Sequence, residues 1–173
     1  MTTDALMNTY GTRAATLVKG EGARLWDADG NEYLDALSGI AVCGLGHSHP
    51  GIAAAVAEQA GTLTHCSNFF GIPNQQKLAD KLRDISGMSN VFFGNSGAEA
   101  NEAAIKMARL FGHKKGIKLP TIVVMDNAFH GRTLATLTAS GSRKVQAGFE
   151  PLVRGFARSP YNDIEALTII GDN

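Results

Sequence analysis

Apolar and polar positions separate most cleanly over residues 96–113. Ala100, Ala103, Ala104, Met107 and Phe111 recur at helical spacing, and Glu99, Glu102, Lys106, Arg109 and His113 make the opposite stripe. Ser96 followed three positions later by Glu99 is a capping-box start. Glu102 and Lys106 form an i,i+4 pair with the acid first, the better order. Ahead of this helix, the apolar run at residues 91–93 has strand length and breaks at Gly94-Asn95. After it, Thr121-Ile122-Val123-Val124-Met125-Asp126 is a continuous run of the kind buried in parallel sheets. Strand, helix and strand make a βαβ unit, expected to be right-handed.

Weaker patterns fill the rest. Residues 1–20 suit an arm or a short helix. Residues 24–27 and 32–35 alternate on either side of Ala28-Asp29-Gly30-Asn31, which predicts a β-hairpin. Residues 39–51 are glycine-rich and contain two histidines. Pro50 suits the first turn of a helix reaching residue 63, with Ile52, Val56 and Ala60 inward. Asn74 is the expected cap of a further helix burying Leu78, Leu82 and Ile85. Short helices are expected at residues 133–139 and, capped by Asn162, at 163–170. The sequence has no internal repeat and no low-complexity tract.

Composition narrows the class. A chain of 173 residues with 44% hydrophobic and 18% charged positions is globular rather than disordered. Sixteen basic and sixteen acidic residues cancel, which argues against nucleic acid or an anionic membrane as partner. Any anion must therefore be held by local geometry. Cys43 and Cys66 make no disulfide framework and fit a reducing compartment. No segment has the length and apolarity of a membrane span, and Met1-Thr2-Thr3-Asp4 lacks signal-peptide features, so the cytoplasm is the expected location.

The chemistry concentrates at two strand ends, where open α/β sheets bind ligands. At the first, small residues after the Ser96 cap leave backbone N–H groups uncovered at the positive end of a helix, an arrangement that suits phosphate. An ordinary capped helix packed on a sheet is the competing reading. At the second, Asn127-Ala128-Phe129-His130-Gly131-Arg132 brings an aromatic face that can stack on a flat ring and a guanidinium that can grip a carboxylate. Taken singly, Phe129 could be core and Arg132 a surface charge. Together the loops point to a phosphorylated planar cofactor and a carboxylate substrate. His47-Ser48-His49 lacks the further ligands of a metal site, and no metal is expected. Gly20-x-Gly22 is a fragment of the dinucleotide fingerprint and precedes a hairpin rather than a helix. No Walker phosphate loop is present, and nothing around either cysteine suggests thiol catalysis.

Asn95-Ser96-Gly97-Ala98-Glu99-Ala100-Asn101-Glu102 and Phe129-His130-Gly131-Arg132-Thr133 resemble the class III aminotransferases, pyridoxal-phosphate enzymes of fold type I (aspartate aminotransferase-like). Gly20-Glu21-Gly22-Ala23, Trp26-Asp27-Ala28-Asp29-Gly30, Tyr33-Leu34-Asp35 and Leu45-Gly46-His47-Ser48-His49-Pro50 resemble the family's opening. Ser38-Gly39-Ile40-Ala41-Val42 and His65-Cys66-Ser67-Asn68 look most like its acetylornithine branch. The resemblance implies an α/β fold with a mainly parallel sheet and helices on both faces. It implies that residues 1–50 are an arm and hairpin of the small domain, and 51–173 an incomplete first portion of the large cofactor-binding domain. It implies that Ser96, Gly97 and Ala98 hold the cofactor phosphate, that Phe129 stacks on the pyridine ring and that Arg132 grips the substrate carboxylate. The implied reaction moves an amino group from N-acetylornithine to 2-oxoglutarate, in arginine biosynthesis, by a homodimer. Ornithine, succinylornithine and 4-aminobutyrate are rival donors.

One departure matters more than these matches. The family's pyridinium-binding aspartate and Schiff-base lysine fall beyond Asn173. Lys19, Lys77, Lys81, Lys106, Lys114, Lys115, Lys118 and Lys144 all lie in other contexts. The chain therefore reads as the N-terminal part of an aminotransferase, with no catalytic residue of its own and inactive alone. A non-catalytic binding or assembly module is the alternative.

Overall fold

The computed structural model describes residues 5–171. Residues 1–4 of the expected arm and the last two residues of the chain lie outside them. The chain divides into two compact units, one ending at Ile72 and one beginning at Pro73.

In the first unit, residues 5–16 form neither helix nor strand. The sheet is antiparallel in the order β1 (Leu17–Glu21), β2 (Arg24–Asp27), β3 (Glu32–Leu34). The expected hairpin is β2–β3, in the register Arg24↔Leu34, Leu25↔Tyr33, Trp26↔Glu32. Strand β1 was not expected, because a bulge between Leu17 and Lys19 breaks the alternation that would reveal it. The hairpin turn is organised by Asp27, a buried carboxylate. It accepts hydrogen bonds from the amides of Asp29 (3.0 Å) and Asn31 (2.8 Å), from Asn31 Nδ2 (3.0 Å) and from Tyr33 OH (2.7 Å). These donors, the Asn31 side chain foremost and Tyr33 next, lower its pKa from 3.8 to about 2. A depressed carboxylate stabilises the fold above its ordinary pKa, and that contribution is lost as pH falls through the lowered value. Thermal unfolding should therefore lose stability from pH 3.8 down to about 2, and Asp27→Asn should flatten that part of the profile. An unchanged slope in the variant would refute the role.

Beyond the sheet, α1 (Ser38–Ala41) is a single left-handed turn. Ser38, Gly39, Ile40 and Ala41 all have φ between 51° and 62°, a costly conformation for the three that carry a Cβ. His47 Nε2 lies 2.6 Å from Asp35 Oδ2, and the His47 backbone bridges to Gly22, so this histidine ties the glycine-rich stretch to the sheet. Helix α2 (Pro50–Thr62) begins at Pro50 as expected, but it buries no residue: Ile52 and Val56 are exposed.

The second unit contains α3 (Pro73–Ser86), α4 (Gly97–Lys114), β4 (Ile122–Met125), α5 (Leu134–Ala139), α6 (Arg143–Gln146), β5 (Phe156–Ser159) and α7 (Ile164–Gly171). Helix α3 starts at Pro73, so Asn74 lies in its first turn rather than at its cap, and Leu78 and Ile85 are exposed. Residues 91–93 form no strand, because a strand needs a partner and none of the described residues pairs with them. The parallel pair is instead β4–β5, in the register Ile122↔Phe156 to Met125↔Ser159. Strand β5, Phe-Ala-Arg-Ser, carries too little apolar pattern to be read from sequence. Helix α7 is capped by Asp163, whose Oδ1 accepts from Ala166 N at 2.9 Å, while Asn162 turns with φ 62°.

The core of this unit is partly polar. Leu137, Ala139, Val124 and Ile105 are buried together with Thr136, Thr138, Ser140, Gln146 and Ser159. Helix α5 can be buried despite its polarity because both ends are satisfied from outside. The Arg158 guanidinium donates to the carbonyls of Thr138, Ala139 and Ser140, placing a cation at the negative end of the helix. Gln146 Nε2 adds bonds to Leu137 O (3.1 Å) and Ser140 O (2.8 Å). Among the described residues no buried side-chain N or O atom lacks a partner, and no helix is long and apolar enough to cross a membrane.

Candidate functional site

The start of α4 has the features an anion requires. Ser96 is extended and its Oγ accepts from Glu99 N at 3.2 Å; Ala100 N donates to Ser96 O at 3.1 Å. The forward half of the capping box is thus formed. The return half goes one residue further back: Glu99 Oε2 accepts from Asn95 N at 2.6 Å, and the Asn95 side-chain amide binds the same carboxylate. The Asn95 amide, chiefly, holds Glu99 below its ordinary pKa. Among the described residues the amides of Gly97 and Ala98 have no acceptor. A Cβ added at Gly97 would meet nothing within 4 Å, so the approach to these N–H groups is open. Two free amides at the positive end of an 18-residue helix fit a phosphate by geometry and charge.

The loop after β4 lies against this helix start. A Cβ at Gly131 would fall 2.8 Å from Ala98 Cβ and 2.6 Å from Thr136 Oγ1. The residue also has φ +135°, so only glycine allows this approach. Asn101, one turn into α4, donates from Nδ2 to His130 O at 2.8 Å. Glu102 Oε1 accepts from Thr133 Oγ1 and from Thr136 N (3.4 Å), which caps α5 from another helix. Ser140 Oγ accepts from His130 N at 3.0 Å, and Gly141 N donates to Ala128 O at 2.7 Å.

Phe129 and Arg132 project from this pinned loop and are both exposed, with the guanidinium carbon 5.8 Å from the ring centroid. An exposed ring face and a planar cation side by side suit a flat heterocycle and a carboxylate. His130 points elsewhere. With Asn101, Ala104, Ile105, Val124 and Phe156 it lines an apolar cavity of about 350 Å³.

Ser96, Gly97 and Ala98 thus fall on one wall, and Phe129 and Arg132 on the loop tied to it. Two sequence expectations about α4 are corrected. Its packed face runs through Asn101, Glu102, Ile105, Arg109 and Gly112, whereas Met107 and Phe111 are exposed. Apolar residues occur on more than one side of α4, so the apolar stripe alone does not select the packed face. Glu102 makes no ion pair with Lys106 and serves the loop instead. Asn101, Glu102 and Ser140 escaped the sequence reading as contributors to the site. Their only signal is polarity at positions that turn out to be half-buried or buried. Among the described residues no three His, Cys, Asp or Glu side chains gather as a metal site.

Residues 7–172 match the aminotransferase class-III family. The chain is 61% identical over 168 residues to the acetylornithine aminotransferase of Nitrosomonas europaea, covering 97% of this chain and 43% of that protein. Its backbone matches the crystal structure of the ornithine aminotransferase from Toxoplasma gondii ME49 with a TM-score of 0.90 at 32% identity, over 95% of this chain and 40% of that one. It matches the N-acetylornithine aminotransferase of Stenotrophomonas maltophilia K279a with a TM-score of 0.76 at 37% identity, over the same shares. The chain spans less than half the length of the curated relatives it matches.

Proposed function

Because this chain belongs to the class III aminotransferases, with their type I fold, we propose that it forms the N-terminal part of an enzyme moving the amino group of N-acetylornithine to 2-oxoglutarate through pyridoxal phosphate. The observation that carries this reading is the pairing of the open Gly97 and Ala98 amides with a loop, tied to the same helix, that presents Phe129 and Arg132. Gly97 and Ala98, with Ser96 beside them, hold the phosphate; the Phe129 face supports the ring; Arg132 orients the carboxylate of donor and acceptor alike. Pyridoxal phosphate, when bound, supplies the electron sink for amino transfer. The Schiff-base lysine and the aspartate facing the ring nitrogen are assigned to a part of the enzyme outside this sequence. Residues 1–50 are read as small-domain arm and hairpin, and 51–173 as the first portion of the large domain. Exposed apolar residues on α2, α3 and α4 support assembly as a homodimer. The composition supports a cytoplasmic enzyme.

Ornithine is the rival donor, favoured by the higher TM-score to the ornithine enzyme. Steady-state kinetics of the whole enzyme separate the two. With 2-oxoglutarate as acceptor, kcat/KM for N-acetylornithine should exceed that for ornithine by about tenfold or more, as expected for a site shaped to one side chain. An equal or reversed preference would overturn the acetylornithine assignment.

A further inference from the structure

We propose that Asn101 is a positioning residue that sets the spacing between the phosphate wall and the loop carrying the ring face and the guanidinium; this rests on the pyridoxal phosphate reading of the site. Asn101 sits on the same helix whose first amides are free for phosphate, and its Nδ2 donates to His130 O at 2.8 Å. The other side of the same residue is held by Ser140, whose Oγ accepts from His130 N at 3.0 Å. Ser140 is buried, and its own hydroxyl donates to Thr136 O at 2.9 Å, so it cannot follow the loop if the loop moves. His130 is thus gripped at both backbone groups, by the side chain of Asn101 on α4 and by that of Ser140 just past the end of α5. Phe129 and Arg132 lie on either side of this grip with exposed side chains. A cofactor has a fixed distance from phosphate to ring. The Asn101 bond helps match the protein to that distance: the Glu102 bonds fix the far end of the loop at Thr133 and Thr136, and the Asn101 bond joins the helix of one subsite to the loop backbone between Phe129 and Arg132.

The consequence is selective. Loss of the Asn101 amide leaves the Gly97 and Ala98 amides in place but loosens the loop at His130, while the Glu102 bonds still hold its end at Thr133 and Thr136. Binding of inorganic phosphate should then be retained, while binding of pyridoxal phosphate and of the carboxylate substrate should suffer. In the whole enzyme carrying Asn101→Ala, phosphate affinity of the apo form should stay within about twofold, and pyridoxal phosphate affinity should fall about tenfold. Donor kcat/KM should fall about 10- to 100-fold, carried by KM, as for a displaced positioning group. Backbone hydrogen exchange at His130 and Gly141, whose amides bond to Ser140 Oγ and Ala128 O, should be faster by about tenfold or more, and this reads the clamp without any catalytic assay. Ser140→Ala removes the opposite grip and should give the same pattern, which keeps the test available if one variant folds poorly. Equal losses of phosphate and pyridoxal phosphate affinity would mean general damage and would overturn the positioning role. So would unchanged exchange at His130 and Gly141. Arg132→Ala is the reference: if it leaves donor KM normal, the cofactor-site reading fails, and the exchange data alone then decide whether the clamp exists.

Discussion

Gly141→Ala is expected to destabilise the second unit by about 3 kcal/mol, the upper end for overpacking a tight site. The alanine Cβ would lie 2.2 Å from Asn127 N, 2.7 Å from Asn127 Cα and 2.9 Å from Ala128 N. All three are backbone atoms, so no side chain can swing aside. The backbone has little freedom to retreat. Asn127 already sits in the left-handed region at φ 59°, and Gly141 N is committed to Ala128 O at 2.7 Å. Moving the two segments apart would break that bond and pull Ser140 from His130 N. For a unit of this size, about 3 kcal/mol corresponds to a midpoint lower by roughly 12–24 °C. Gly97→Ala is the contrast: its Cβ meets nothing within 4 Å, and its stability effect should stay within about 0.5 kcal/mol. Thermal melts of the two variants check this, and a Gly141→Ala protein melting with the parent would refute the packing described for the loop.

Where sequence reading succeeded, the signal was local. The Ser96 cap, the helix behind it, the β2–β3 hairpin, the apolar run of β4 and the proline start of α2 each depend on residues a few positions apart. Where it failed, the deciding partner lay far along the chain. Residues 91–93 have strand composition but no described neighbour to pair with. Strand β5 is short and carries Arg158, yet it pairs because β4 offers a matching edge. The face of α4 was misread because apolar residues are spread around the helix, and the choice among them is made by the loop that Asn101 and Glu102 hold.

The same division runs through the site. The residue types proposed to meet ligand were legible as two motifs: small residues behind a cap, and an aromatic with a guanidinium beside a glycine. What joins the motifs was not. The Asn101, Glu102 and Ser140 bonds cross between elements that are 10 to 34 residues apart in sequence. Arg158, which nothing in the sequence singles out, caps the C-terminal carbonyls of α5.

Arg132→Ala in the whole enzyme is expected to weaken carboxylate substrate binding by about 2–5 kcal/mol, the cost of removing one partner of a charge pair that bound substrate would bury. Arg132→Lys should also be impaired although the charge is kept, because a single ammonium cannot reproduce the planar two-point grip. Phe129→Ala should act the other way, loosening pyridoxal phosphate by about 0.5–1.5 kcal/mol beyond the lost contact area. The direct measurement is pyridoxal phosphate affinity and the KM of amino donor and 2-oxo acid, determined on the same preparations of wild type and Arg132→Ala. The expected result is a large rise in both substrate KM values with cofactor affinity within about twofold of wild type, since the substitution leaves the Gly97 and Ala98 amides proposed to hold phosphate untouched. Normal donor and acceptor kinetics in Arg132→Ala, or a loss of cofactor affinity as large as the loss for substrate, would contradict the division of the site into a phosphate wall and a carboxylate grip.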